Sequence, residues 1–427
     1  MKNKLISILF LGLTVLLFFS CKKNYTNPNA ATEQQVFSSA LGLTGVATGL
    51  QRVYTAGRAS SLYNRVTING LVTTELTVLN QGNTGEYQLQ LGSGSVDGTN
   101  SLASGLWTSS NKIIYDAEKV IAGAQALSDK GYASGLIGYA TIFKVLALGD
   151  MSMFWEKVPA NIGQNVSFIT RTEGFTKAIT AIDAALSAIS SNAISAAFIA
   201  NVPAGIDIVN TLHALKARFS IFIGSNAQAL TEANAASQTI KSTFNFTTVN
   251  LNPIFETATS TNNVTAVIDV TTLGMPAGLQ PDASDQRPAF YTTTAYASKI
   301  KGFAAASTTQ WPVYLPGEMI LIKAEAYTRQ NDLVNGLIQL NNVVTKTPAS
   351  DPYSVGAGSP PLVGPYTQAQ LLDLIYKHRC IELFMSGLKL EDMRRFARPN
   401  AERRRNFLPY PFLERDNNPN TPADPPF

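Results

Sequence analysis

The sequence predicts a mostly α-helical protein, a tetratricopeptide-like scaffold of paired helices with long irregular loop insertions. Three observations predict it. Apolar residues recur at helical spacing through segment after segment. Several segments come in pairs joined by short turns, with small residues such as Ala214, Ala217, Ala324 and Ala326 where helices would cross. Between the pairs lie stretches rich in Gly, Thr, Asn and Pro, longer than ordinary connections. No strict repeat of about 34 residues is present, so the likeness is to the helix pairing and not to a repeat array.

The chain opens MKNK and continues with a short apolar run, Leu5 to Phe19. A membrane-spanning helix needs about 20 apolar residues, and a basic start followed by a shorter run reads as a secretory signal. The run ends Phe18-Phe19-Ser20-Cys21. A small residue directly before a cysteine looks like a bacterial lipobox, which makes Cys21 the first mature residue and the lipid carrier. A plain cleaved signal is the alternative. One acyl chain gives reversible membrane binding and two or more give a lasting tether. Lys22 and Lys23 would then sit among lipid headgroups, each contributing about 1 kcal/mol on an anionic surface. With Cys21 assigned, Cys380 is the only cysteine left, so the chain is no disulfide scaffold. The expected organisation is a signal over 1–20, a polar spacer over 21–31 and one body over 32–427.

Within the body, Lys112 to Leu127 is the clearest helix. Ile113, Ile114, Ala117, Val120, Ile121, Ala124 and Leu127 share one face. Further helices are predicted over Ser134 to Leu148, Thr172 to Ser190, Ile208 to Ile223, Gly317 to Arg329, Asp332 to Val344 and Gln368 to Met385. Three insertions are read as irregular: Asn80 to Asn100, Thr239 to Thr309 and Thr347 to Pro365.

Much chemistry is missing. His213 and His378 stand far apart, without Cys or Glu at ligand spacing, so no metal site is expected. No Walker loop and no Gly-x-Ser-x-Gly elbow occurs, and Gly92 to Gly98 reads as a loop. No cofactor and no catalytic residue is assigned. Asp282 and Asp285 are the best loop carboxylates for glycoside cleavage, with turn capping as the simpler reading. The cluster Arg394, Arg395, Arg398, Arg403, Arg404 and Arg405 could suggest nucleic acid. Its interspersed Glu391, Asp392 and Glu402 suggest instead a solvated, paired face, and no nucleic-acid partner is expected. The formal net charge of +4, with both signs interspersed, points to no acidic partner.

The C-terminal stretch HRCIELFMSGLKLEDMRRF resembles the signature of the SusD/RagB family of outer-membrane nutrient-binding lipoproteins, through Arg379, Glu382, Leu383, Gly387, Asp392 and Arg395. The tail FLPYPFLERDNNPN is similar to that family's tail through Pro409, Pro411, Glu414, Asn418 and Pro419. Ala324-Glu325-Ala326, Asp285 with Arg287, Gly149-Asp150 and Val158-Pro159 fit its other motifs in order. His378 departs from it, standing where Glu is usual. The resemblance implies a protein that captures an oligosaccharide, or in the RagB branch a peptide, and passes it to a TonB-dependent outer-membrane transporter. A surface glycoside hydrolase and a helical scaffold for other proteins are the alternatives. It also implies an outer-membrane location by lipid anchor, facing the cell surface. Lys22 and Lys23 stand where acidic residues favour that display.

Two sets of site residues follow. Arg379 and Glu382, three apart on one helical face, would pair if buried, because an unpaired buried charge costs several kcal/mol. Gly387 would turn the chain and bring Asp392 back to the arginine, so that Arg379, Glu382, Gly387 and Asp392 form a structural clasp. Sugar binding needs flat aromatic faces and amide or carboxylate partners for hydroxyls. Trp311, Tyr87, Tyr291 and Tyr296 are the aromatic candidates on loops, with Asn80, Asn83 and Asp97 as polar neighbours. Trp107 and Trp155 are expected in the core.

Overall fold

The computed structural model describes residues 32–261 and 263–426. Cys21, the signal and the spacer lie outside the described residues. The principal helices are α1 (Ala40–Thr55), α2 (Ser61–Val72), α3 (Thr84–Leu91), α4 (Ser101–Gln125), α5 (Lys130–Phe154), α6 (Arg171–Ser191), α7 (Ile208–Phe222), α8 (Asn226–Ala235), α9 (Pro316–Arg329), α10 (Leu333–Val344), α11 (Gln368–Glu382) and α12 (Lys389–Arg395). From α4 to α10 each helix packs on the next, and α11 closes on α9 and α10. This is a mostly helical fold, consistent with tetratricopeptide-like stacking.

Capping explains where several helices start. Asn100 accepts from the backbone N–H of Leu102 and Ala103 at the head of α4, and Asp129 accepts from Tyr132 at the head of α5. Thr170 with Glu173, and Thr367 with Gln370, form capping boxes on α6 and α11. Helix α4 begins eleven residues before the predicted Lys112, because the Asn100 cap and the buried Leu102, Leu106 and Trp107 extend the same face. Helix α5 is long and apolar enough to cross a membrane, but it is buried on nearly every side among its neighbours. A side chain at Gly149 would come within 2.6 Å of the Phe219 ring, so this glycine lets α7 approach α5 closely.

The predicted insertions hold more order than their composition suggests. Asn80 to Asn100 contains α3, and Thr239 to Thr309 contributes strands. Among the described residues three two-stranded antiparallel pairs form: β1 (Leu76–Val78) with β5 (Thr265–Val267), β2 (Lys157–Pro159) with β3 (Phe168–Thr170), and β4 (Thr243–Phe244) with β6 (Trp311–Pro312). Leu76 faces Val267, Val158 faces Ile169 and Phe244 faces Trp311. One core cluster runs from Leu43 to Tyr410, and a smaller one joins α9, α10 and α11. Trp107 and Trp155 sit in the larger core, edge to face at 4.9 Å.

Candidate functional site

The C-terminal charges form a clasp, but the pairing differs from the predicted one. Arg379 Nε donates to Asp392 Oδ2 at 2.9 Å, so the returning aspartate reaches the arginine as expected. Glu382 does not pair with Arg379. It accepts from Arg287 Nη1 at 3.0 Å and from Lys346 Nζ at 2.6 Å. The reason is that two distant loops bring stronger partners to the same buried point. Asp285 fixes the other side of the Arg287 fork at 2.6 Å, which makes that guanidinium a bidentate bridge. Arg287, Arg379 and Glu382 are all fully buried. His378 lies against the bridge, its Nδ1 2.8 Å from Arg287 Nη2. Burial and the neighbouring cations, Arg287 first, push the imidazole pKa well below its usual value. The ring therefore accepts from the guanidinium in its neutral form.

Gly387 turns the chain with φ +81°, and an added Cβ would lie 2.7 Å from Arg65 Cγ. Arg65 in turn donates to the Ser386 carbonyl at 2.8 Å. The arginine cluster after the clasp is paired with the acids expected, but its first members are not solvated. Arg395 meets Asp392 at 2.6 Å and also Glu325, Arg394 meets Glu391 at 2.9 Å, and Arg398 meets Glu402 at 2.6 Å. The Arg394 and Arg395 side chains are largely buried. Of the loop carboxylates, Asp285 holds Arg287 and Asp282 accepts from Lys377 Nζ at 2.8 Å.

The ligand candidates separate into three groups. Trp311 and Tyr291 are buried. Trp311 is in the β4–β6 pair and packs on Phe303, while Tyr291 donates its hydroxyl to the Glu382 carbonyl and packs on Phe384. Both belong to the interior here, because strand pairing and the clasp cover the loop positions that composition made look open. Asp97 is exposed and caps a turn, accepting from Thr99 N–H at 2.8 Å. The Thr99 hydroxyl and N–H hold its carboxyl below the usual range. Its neighbour Gly98 accepts from Phe412 N–H at 3.0 Å, so Asp97 sits beside the C-terminal tail.

Asn80, Asn83, Tyr87 and Tyr296 form the third group, tied to one strand, β5. On one side β1 pairs with β5 and leads into the Asn80–Asn83 turn, where Leu79 N–H donates to the Val264 carbonyl at 2.9 Å. On the other side Val267 N–H donates to Ser298 at 2.9 Å, in the hairpin that carries Tyr296. Tyr296 is 48% exposed, Asn80 is exposed, and Asn83 and Tyr87 are half-buried. The Asn83 side-chain Oδ1 accepts from Arg58 Nη2 at 2.9 Å, and Arg58 is held by Glu86 at 2.6 Å. Glu86 also accepts from the Tyr63 hydroxyl at 2.9 Å. Sequence reasoning missed Arg58, whose only signal is an arginine in a short glycine-containing turn. One flank of β5 offers an open aromatic ring and the other offers amides and a partly exposed guanidinium, the groups that recognise hydroxyl-rich ligands.

The SusD family model matches residues 255–424, the stretch that carries the clasp and the tail. The likeness to the SusD family is carried by this C-terminal stretch. The SusD-type fold extends through the N-terminal helices as well. A SusD superfamily protein from Bacteroides fragilis superposes with a TM-score of 0.69 at 14% identity, covering 90% of this chain and 99% of that one. A SusD superfamily protein from Bacteroides thetaiotaomicron VPI-5482 gives 0.69 at 15% identity, covering 91% and 100%. A SusD-like carbohydrate binding protein from Bacteroides vulgatus ATCC 8482 gives 0.66 at 14% identity, covering 84% and 83%. No curated protein matches the sequence. In this SusD-type fold the buried Arg379–Asp392 and Arg287–Glu382 pairs fasten α11 to α12 and to the 285–287 loop. The residues flanking β5 stand outside that fastening.

Proposed function

We propose that this protein captures oligosaccharides at the bacterial outer membrane and passes them intact to a TonB-dependent transporter. Cys21 carries the lipid anchor, residues 1–20 are the signal, residues 21–31 are the spacer, and the body is one unit displayed at the cell surface. The observation that carries the reading is the SusD-type fold, shared with a solved protein described as carbohydrate binding. The elements flanking β5 support it, because Tyr296 offers an aromatic surface on one side and Asn80, Asn83 and Arg58 offer polar groups on the other. The act is binding alone, with no bond made or broken.

The test is a binding screen of the chain from Lys22 onward against glycans and peptides, with product analysis on every hit. The expected result is glycan binding without products, weakened about tenfold by Tyr296→Ala, equivalent to about 1.4 kcal/mol. Binding of peptides alone moves the protein to peptide capture on the same fold. Appearance of shorter sugars overturns the binding-only reading.

A further inference from the structure

A second groove lies away from β5, between α1 and the loops at 203–204 and 245–250, with a volume of about 580 Å³. Its floor is the outer face of α1. Gly45 and Gly49, one turn apart, lie there with nothing within 4 Å of where a side chain would stand. Glycine weakens a helix interior relative to alanine, and no packing here requires it. The two glycines leave bare backbone that a flat ligand can approach.

Polar groups are aimed into this space. Gln51 is 7% exposed, and its Oε1 accepts from the Tyr139 hydroxyl. That bond holds the amide by its oxygen, while Nε2 makes no hydrogen bond among the described residues and Gln51 lines the groove. Arg52 is exposed, and its guanidinium makes no hydrogen bond or ion pair among the described residues. The opposite wall is held rigidly: Asn245 Nδ2 donates to Ala204 at 2.9 Å and its Oδ1 accepts from Thr243 at 2.8 Å. The lining includes Arg52 and no Asp or Glu. A free guanidinium beside an oriented amide donor matches a carboxylate. Phe246 and the bare α1 floor match the apolar face of a sugar ring.

We propose that this groove is a second saccharide site, in which Arg52 and Gln51 hold the carboxylate of a uronic acid residue. The saccharide part of the assignment rests on the proposed glycan-capture function; the carboxylate part rests on the groove itself. The local charge, not the net charge of the chain, sets this preference.

The test is calorimetric titration of the full chain with a galacturonate hexamer and with its fully methyl-esterified form. The acid hexamer is expected to bind, and the ester at least tenfold more weakly. Arg52→Gln should weaken the acid hexamer by at least tenfold and leave the ester unchanged. Gly49→Leu fills the open floor without touching the core, so it should abolish acid-hexamer binding with melting temperature equal to or above the parent's. Tyr296→Ala should leave the acid hexamer unaffected. No binding of the acid hexamer at millimolar concentration overturns the proposal, as does equal binding of the ester or indifference to Arg52→Gln. Neutral-glycan binding that depends on Tyr296, without acid binding, sinks this site and leaves the capture function standing. Acid binding that depends on Arg52, with no neutral glycan bound anywhere, upholds this site and overturns the binding role given to Tyr296.

Discussion

At the scale of single residues, Gly387 shows how backbone and packing act together. Both Gly57 (φ +74°) and Gly387 (φ +81°) sit in the left-handed region, but Gly57 has open space where a Cβ would go and Gly387 has Arg65 within 2.7 Å. Left-handed geometry alone costs a side chain about 1–2 kcal/mol. Gly57→Ala should therefore lose about that much in urea denaturation. Gly387→Ala should lose more, because Arg65 must also give up its bond to Ser386 or its approach to Asp150, 3.5 Å away. Equal losses in the two variants would show that Arg65 yields freely.

Glu75 gives a pH dependence at the same scale. It is 1% exposed, and burial raises its carboxyl pKa from 4.5 to about 7, against the pull of Lys389. Because the folded value lies above the unfolded one, its contribution is fully present below pH 4.5 and is lost as pH rises through 7. The span corresponds to on the order of 3 kcal/mol. Glu75→Gln keeps the shape and removes the titration. The stability of the variant relative to the parent should rise between pH 4.5 and 8, and a flat difference across that range would remove Glu75 as the cause. His378 acts in the opposite sense: its depressed pKa makes the fold lose stability as pH falls below about 6.5. The Glu75 effect is therefore read from the difference between two proteins and not from either alone.

At the scale of elements, the contact between α9 and α12 rests on shared charge. Glu325 on α9 accepts from Arg329 at 2.7 Å and also from Arg395 on α12, while Asp392 takes Arg395 at 2.6 Å and Arg379 at 2.9 Å. Three guanidinium groups thus share two buried carboxylates. Glu325→Gln leaves the arginines without half of that charge and should cost on the order of 3–5 kcal/mol. The double variant Glu325→Gln with Arg395→Gln should recover part of the loss, since it also removes one stranded cation; strict additivity would mean that the two do not interact. The sequence revealed the motif order and several helices, because periodicity and caps are local. It did not reveal that Glu382 would choose Arg287 and Lys346 over Arg379. That choice depends on loops 95 and 36 residues away in the chain. Trp311 and Tyr291 misled for the same reason: loop composition says nothing of the strand and clasp that cover them. Tyr296 and Asn80, at turns with no long-range cover, stayed where composition put them.

At the scale of the whole molecule, the C-terminal tail ties distant parts together. The Trp155 indole donates to the Pro409 carbonyl at 3.0 Å, and the Trp107 indole donates to Glu414 at 3.1 Å. Tyr410 packs edge-on against Trp107 and Phe168 and bonds both the N–H and carbonyl of Lys157 at 3.1 Å. The tail thus covers the junction of α4, α5 and the β2–β3 pair, elements that are remote from it in sequence. Removing residues 407–427 strips these partners from two buried tryptophans and leaves their N–H groups without acceptors, each worth about 1–3 kcal/mol. The aromatic area uncovered adds to the loss at about 25 cal/mol per Å². The truncated chain should show red-shifted tryptophan emission and a lower melting temperature, with both changes present before any ligand is added. Trp311, covered by the β4–β6 pair and packed on Phe303, acts as the internal reference: Trp311→Phe in the truncated chain should leave the red shift in place. An unshifted emission spectrum after truncation would mean that the core closes over Trp107 and Trp155 without the tail, and that the long-range bonds fasten the tail to the body and not the body to itself.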